Sequence, residues 1–171
     1  MLSKKLQEAI NAQINAEYWS AFLYLSMSAD FSAKGLPGFA NWMEMQFAEE
    51  QSHGLKFLNY MLSRGAHPEL RQIDKVQNTW NTPLDAFKDA LAHEQVVTKL
   101  INDIYSLATQ EKDYATQSML KWFIDEQVEE EESVQAIIDT LALVGDNGYG
   151  IYQLDKELAL RVYTPIPASA Q

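Results

Sequence analysis

Glu49-Glu50-Gln51-Ser52-His53 places a carboxylate and an imidazole three residues apart, so on a helix Glu50 and His53 share one face. That face continues on both sides at alternating four- and three-residue steps: Phe39, Met43, Gln46, Glu50, His53, Phe57 and Tyr60. Such a series is the inward seam of a bundle helix. Its centre therefore carries polar groups where leucines are expected, and burying them is costly unless something satisfies them.

Three more seams of the same spacing flank this one. The residues from Lys4 to Ala33 repeat it as Leu6, Ile10, Gln13, Glu17, Ser20, Tyr24 and Met27. Gly35-Leu36-Pro37 breaks that run, and Pro37 is suited to open the next helix, expected over 37–64 with Gly65 as its stop. Thr82-Pro83-Leu84-Asp85 combines a cap, a first-position Pro and an acid in the first turn. It starts a third helix, expected over 83–111, with the seam Leu84, Phe87, Leu91, Glu94, Thr98, Ile101, Tyr105 and Ala108. After a polar break at Glu111-Lys112-Asp113 the fourth, expected over 114–144, carries Leu120, Phe123, Gln127, Glu130, Val134, Ile137, Leu141 and Val144.

Residues 65–82 lack periodicity and are long for a loop inside a domain. Extended, they reach ~60 Å, more than the ~40 Å of the second helix. They can thus cross the whole bundle and leave the second and third helices parallel. Beyond Gly145 a short fifth helix is expected over 150–160, with Ile151, Leu154 and Leu158 on one face. Pro165 and Pro167 close the chain in a tail not expected to fold alone. The expected fold is all-α: one domain spanning 1–171, a four-helix bundle with a long crossover and a short fifth C-terminal helix. Trp19, Phe22, Leu23 and Leu25 lie off the first seam and are read as a second apolar face that meets another subunit.

Composition narrows the function classes. A net charge of −11 disfavours nucleic acid and anionic membrane surfaces and favours cations. The chain has no cysteine, which removes thiolate metal sites and thiol nucleophiles and suits a reducing, cytoplasmic setting. No apolar run follows Lys4-Lys5, so a signal peptide is not expected, and no stretch is apolar enough to span a bilayer.

The polar exceptions on the four seams coincide in height. Glu17 lies 18 residues before Gly35, and Glu50 and His53 lie 15 and 18 after it. Glu94 lies 18 before Lys112, and Gln127 and Glu130 lie 15 and 18 after it. All fall ~22 to 27 Å from a turn and form one belt. The two halves also match at an offset of 77: Glu17 with Glu94, Glu49 with Glu126, Glu50 with Gln127, His53 with Glu130. An internal duplication is one source of such a match. No Lys or Arg stands on the inner seams near this height to neutralise the four glutamates, whereas two divalent cations would. Glu-x-x-His facing carboxylates of neighbouring bundle helices is the di-iron arrangement, and oxygen ligands with one imidazole suit Fe(II) or Mn(II).

With Glu17, Glu49-Glu50-Gln51-Ser52-His53, Glu94 and Glu126-Gln127-Val128-Glu129-Glu130 in place, the sequence resembles the bacterial non-haem ferritins over essentially its whole length, with Tyr24 and Trp122 adding to the match. The resemblance implies a ferroxidase in a hollow shell of 24 identical subunits. Fe(II) would be oxidised by dioxygen or hydrogen peroxide and stored inside as ferric mineral, with two to three irons per subunit at the centre. It implies that Glu17, Glu50 and His53 hold one iron. Glu50 would bridge to a second held by Glu94 and Glu130, with Gln127 nearby, and Glu49, Glu126 and Glu129, sharing Glu130, would form a third site. Tyr24, one heptad along the seam from Glu17, is read as an electron donor, a hydrogen-bond partner of a ligand or an aromatic filler. Glu131 and Glu132 are read as a solvated acidic face, and His67 and His93 as structural.

Haem is not expected, because Gln51, Gln127 and Glu130 stand where bacterioferritins carry a haem-ligating Met and a second Glu-x-x-His. Rubrerythrin-like peroxidases need a cysteine iron module that this chain lacks. Miniature ferritins place their site between subunits and have no fifth helix. The alternative of another class is a metal-free structural or mineral-shell subunit that oxidises nothing.

Overall fold

In the computed structural model, which describes residues 2–165, five helices follow one another: α1 (Lys4–Ala33), α2 (Pro37–Ser63), α3 (Pro83–Gln110), α4 (Tyr114–Val144) and α5 (Gly148–Leu158). The ends of α2 and α3 fall one residue short of expectation, and α5 is shifted two residues towards the N-terminus. Asn147 sets that start, its side chain accepting from the Gly150 amide. Pro167 lies outside the described residues.

Four of the five helices begin where the local chemistry provides for their free amides. Ser3 caps α1, Asp113 caps α4, and Thr82 and Asp85 form a reciprocal capping box on α3. Pro37 stands at the first turn of α2, whose preceding Leu36 makes no side-chain cap. The missing cap comes from far along the chain. Asp155 of α5 accepts from the amides of Gly38 at 2.7 Å and Phe39 at 3.1 Å. Gly38 permits this approach, since a Cβ there would stand 1.6 Å from the Asp155 carbonyl oxygen.

Helices α1 and α2 form one antiparallel hairpin, α3 and α4 another, and α5 packs chiefly on α2. The crossover runs along α1 in the direction of that helix. Glu69 N donates to Asn11 Oδ1 near its start, Ser26 Oγ to Gln77 O further on, and Trp80 N to Asp30 Oδ2 at its end. It therefore traverses the bundle, and α2 and α3 run parallel.

The seams form the interior, with one rotation. On α3 the buried row runs Phe87, Ala90, Glu94, Val97, Ile101, Ile104 and Ala108. Leu91, Thr98 and Tyr105, placed on that seam from the sequence, sit at its edge. Small and β-branched side chains let α3 turn its centre inward while the larger residues line the flanks. On α1, Leu23 joins the protein's own core, whereas Phe22 is 48% exposed and Leu25 40%. The apolar core is divided into two clusters. One gathers Met27, Phe31, Phe39, Met43, Phe87, Val134 and Leu141, the other Leu6, Ile10, Phe57, Met61, Ile101, Leu120 and Phe123. A polar layer lies between them.

Candidate metal centre

That layer is the belt of glutamates, and it is as deeply buried as the clusters around it. Exposure is 1% for Glu17, 2% for Glu50 and His53, 0% for Glu94 and 5% for Glu130. Gln13, Gln46 and Gln127 are buried with them. Four helices each contribute one glutamate because the heptad-like spacing keeps these positions inward at a common height.

Amides and a phenol hold half of the carboxylate oxygens. Gln13 Nε2 donates to Glu17 Oε1 at 2.8 Å, and Gln46 Nε2 to Glu130 Oε2 at 2.7 Å. Gln127 Nε2 donates to Glu94 Oε2 at 3.1 Å, and the Tyr24 hydroxyl donates to Glu94 Oε1. Of the three roles open to Tyr24, the hydrogen bond to a belt carboxylate is present. His53 is wedged by rings, edge-on to Trp122 at 5.5 Å and to Phe123 at 5.8 Å between centroids. Trp122 thus serves to set the imidazole's orientation.

Three belt atoms are left without a hydrogen-bond partner: Glu17 Oε2, Glu50 Oε2 and His53 Nε2. One ligand atom each from Glu17, Glu50 and His53 lie within 4.8 Å of one another. Burial leaves such atoms unsatisfied at a cost of about 1–3 kcal/mol each, and a divalent cation held by these three side chains would offer them a partner. The donor set, two carboxylates and an imidazole, fits a hard to borderline ion such as Fe(II).

A second trio of equal closeness is formed by His53, Glu126 and Glu130. Glu94, expected with Glu50 and Glu130 at a second ion, belongs to neither trio, and its two oxygens accept from Tyr24 and Gln127. Of the expected third site, Glu126 and Glu130 come together, Glu129 is exposed, and Glu49 is engaged by a group that the seams did not reveal. That group is Arg161, beyond α5, whose Nη2 lies 2.5 Å from Glu49 Oε2. Lys56 is a second missed cation. It is buried, with its ammonium 4.7 Å from the centre of the Trp122 ring. Its position three residues after His53 was a usable signal; Arg161 offered none. His93 remains structural, its Nε2 2.6 Å from Ser20 Oγ, and burial pushes its imidazole down to about 4.

The family model for the ferritin-like domain matches residues 7–144. The chain belongs to the ferritin family. It is 45% identical over 161 residues to a bacterial non-heme ferritin of Bacteroides fragilis, covering 94% of this chain and all of that one. With the corresponding Staphylococcus aureus protein the identity is 43%, over 95% of this chain and 98% of the relative. Among solved structures, an engineered closed form of the Archaeoglobus fulgidus ferritin matches with a TM-score of 0.95 at 44% identity, covering 96% of this chain and 100% of that one. An open-pore ferritin from the same archaeon matches at 0.94 and 44%, over 95% of this chain and 100% of that one. Among the described residues, no helix of this ferritin is long and apolar enough to cross a membrane.

The electrostatics of the ferritin belt follow from its burial. Desolvation, followed by the charge of Glu50, raises the Glu17 carboxyl well above its ordinary range. Burial and then Glu94 and Glu130 do the same to Glu50, and burial raises Glu94. Glu130 is pushed up to about 8 by burial, with the charges of Glu94 and Glu49 adding to it. Tyr24 is raised by burial and by the neighbouring carboxylates, Glu94 foremost. The belt favours protons, or an equivalent positive charge, over bare carboxylates.

Proposed function

We propose that this ferritin stores iron and is a ferroxidase, oxidising Fe(II) within the belt of each subunit. The observation that carries the reading is that Glu17, Glu50 and His53, each with a buried side-chain atom lacking a hydrogen-bond partner, bring ligand atoms within 4.8 Å of one another. In this reading Glu17, Glu50 and His53 take one Fe(II). Glu130 takes a second, with Glu126 and His53 at hand, and Glu94 and Gln127 on its other side.

Iron is the substrate here. Two Fe(II) ions give up one electron each; dioxygen accepts both with two protons and departs as hydrogen peroxide, or peroxide accepts them with two protons and becomes water. The protein supplies geometry, charge and access. Carboxylates compensate the added charge of Fe(III), and the Tyr24 hydroxyl fixes the Glu94 carboxylate against rotation. Ions with one nitrogen ligand among exchangeable oxygens move on to a store more readily than from a closed site. Storage inside a shell of 24 copies, and a cytoplasmic location, complete the proposal and rest on family membership.

The test is the initial rate of Fe(II) oxidation in air at two ions per subunit. Glu50→Ala and Glu94→Ala should each reduce it to the rate of iron in buffer alone, with particle mass unchanged. Wild-type rates in both variants would refute the ferroxidase. A shell that oxidises nothing is the competing reading, and it leaves the three unpartnered buried atoms without a purpose.

A further inference from the structure

Helix α5 and the segment that follows it are tied along α2 from its first turn to the belt. Asp155 caps Gly38 and Phe39, and Asn41 Nδ2 donates to the carbonyls of Leu158 at 3.2 Å and Arg161 at 3.0 Å. The Arg161 guanidinium lies 4.3 Å from the centre of the Trp42 ring. From there its Nη2 donates to Gln46 Oε1 and, at 2.5 Å, to Glu49 Oε2. Gln46 is fully buried, and its Nε2 donates onward to Glu130 Oε2 at 2.7 Å.

The direction of this relay is imposed by Arg161. A guanidinium has donors and no acceptor, whereas a side-chain amide can present either end. With Arg161 in place, Gln46 must turn its oxygen outward and its NH2 towards Glu130. Once Glu130 is ionised, as metal binding requires, an amide turned the other way would set an oxygen against a carboxylate oxygen in a buried site. We propose that Arg161 is a positioning residue for the metal centre: through Gln46 it holds Glu130 as an acceptor beside His53 and Glu126, and it orients Glu49 in the same grip. The inference rests on the proposed metal centre and assigns the segment after α5 a part in it. The simple electrostatic expectation has the opposite sign, since removing a cation from beside carboxylates would make a metal ion bind more tightly.

The experiment is anaerobic Co(II) titration of the assembled protein, followed by the visible ligand-field bands. It is run in wild type and in a Glu17→Ala background that removes the first trio and leaves His53, Glu126 and Glu130. Arg161→Ala and Arg161→Gln should weaken Co(II) binding in that background by about tenfold or more. Arg161→Lys, which keeps a head group with donors alone, should restore most of the loss. Gln46→Ala should match Arg161→Ala, and the double variant should be no worse than either alone. Arg71→Ala removes an arginine that pairs with Glu8, away from α5 and Gln46; it should leave Co(II) affinity as it was. If Arg161→Ala does not assemble, Arg161→Gln and Arg161→Lys carry the comparison. Tighter or unchanged binding in Arg161→Gln, additive losses with Gln46→Ala, or equal loss in Arg71→Ala would overturn the inference. Absence of Co(II) bands in wild type would instead overturn the metal centre itself.

Discussion

Loading the belt with metal should displace protons, and the number is set by burial. At pH 7 an ordinary glutamate, near 4.5, is under ~1% protonated, whereas a carboxyl at about 8, as for Glu130, is ~90% protonated. Glu130 alone should therefore release ~0.9 proton per subunit when an ion binds at pH 7, and ~0.1 at pH 9. Glu17, Glu50 and Glu94 are shifted in the same direction and add to the total. Mn(II) is the appropriate ion, because it accepts oxygen and imidazole ligands and adds no protons from oxidation. Calorimetric titration of the metal-free protein in two buffers of different ionisation heat counts the protons. At least one per subunit is expected at pH 7, with Glu130's share falling by ~0.8 by pH 9, a fall that Glu130→Gln removes.

The same shift carries a stability consequence whose sign can be worked out. A carboxyl whose pKa is higher in the folded chain than in the unfolded one binds more protons when folded, so stability falls as pH rises between the two values. For Glu130 the window runs from about 4.5 to about 8 and amounts to roughly 5 kcal/mol across it. Denaturant unfolding of the metal-free protein should weaken from pH 5 to pH 8, and Mn(II) should recover the loss. No proton release on loading, or metal-free stability that rises over this interval, would refute the reasoning.

Two other perturbations follow from particular contacts. Tyr24→Phe removes the donor to buried Glu94 Oε1 while preserving the ring; a loss of about 1–3 kcal/mol in unfolding free energy is expected, and an unchanged value would mean the hydrogen bond contributes nothing. Gly38→Ala drives a Cβ into the Asp155 carbonyl. It should detach α5 and uncap α2, seen as faster amide exchange over residues 148–158 and a lower melting temperature, and wild-type exchange there would contradict the cap.

The bundle was legible because its seams repeat an apolar residue every three or four positions, and a polar interruption at equal height on each is hard to mistake. Glu17, Glu50, His53, Glu94, Gln127 and Glu130 are all buried where the spacing put them. The rotation of α3 was not legible: Ala90 and Val97 are small beside Leu91, and size dominates a reading by hydrophobicity. Asp155 and Arg161 escaped for a different reason. They act on residues more than 110 positions away, and no local pattern announces a contact of that range. The engagement of Glu94 by Tyr24 and Gln127 likewise depends on how three helices meet.

Anomalous diffraction from crystals soaked with Fe(II) under anaerobic conditions tests the central claim most directly. Iron is expected among Glu17, Glu50 and His53, with a second peak within reach of Glu130. Iron confined to exposed carboxylates, with the belt empty at saturating Fe(II), would contradict it.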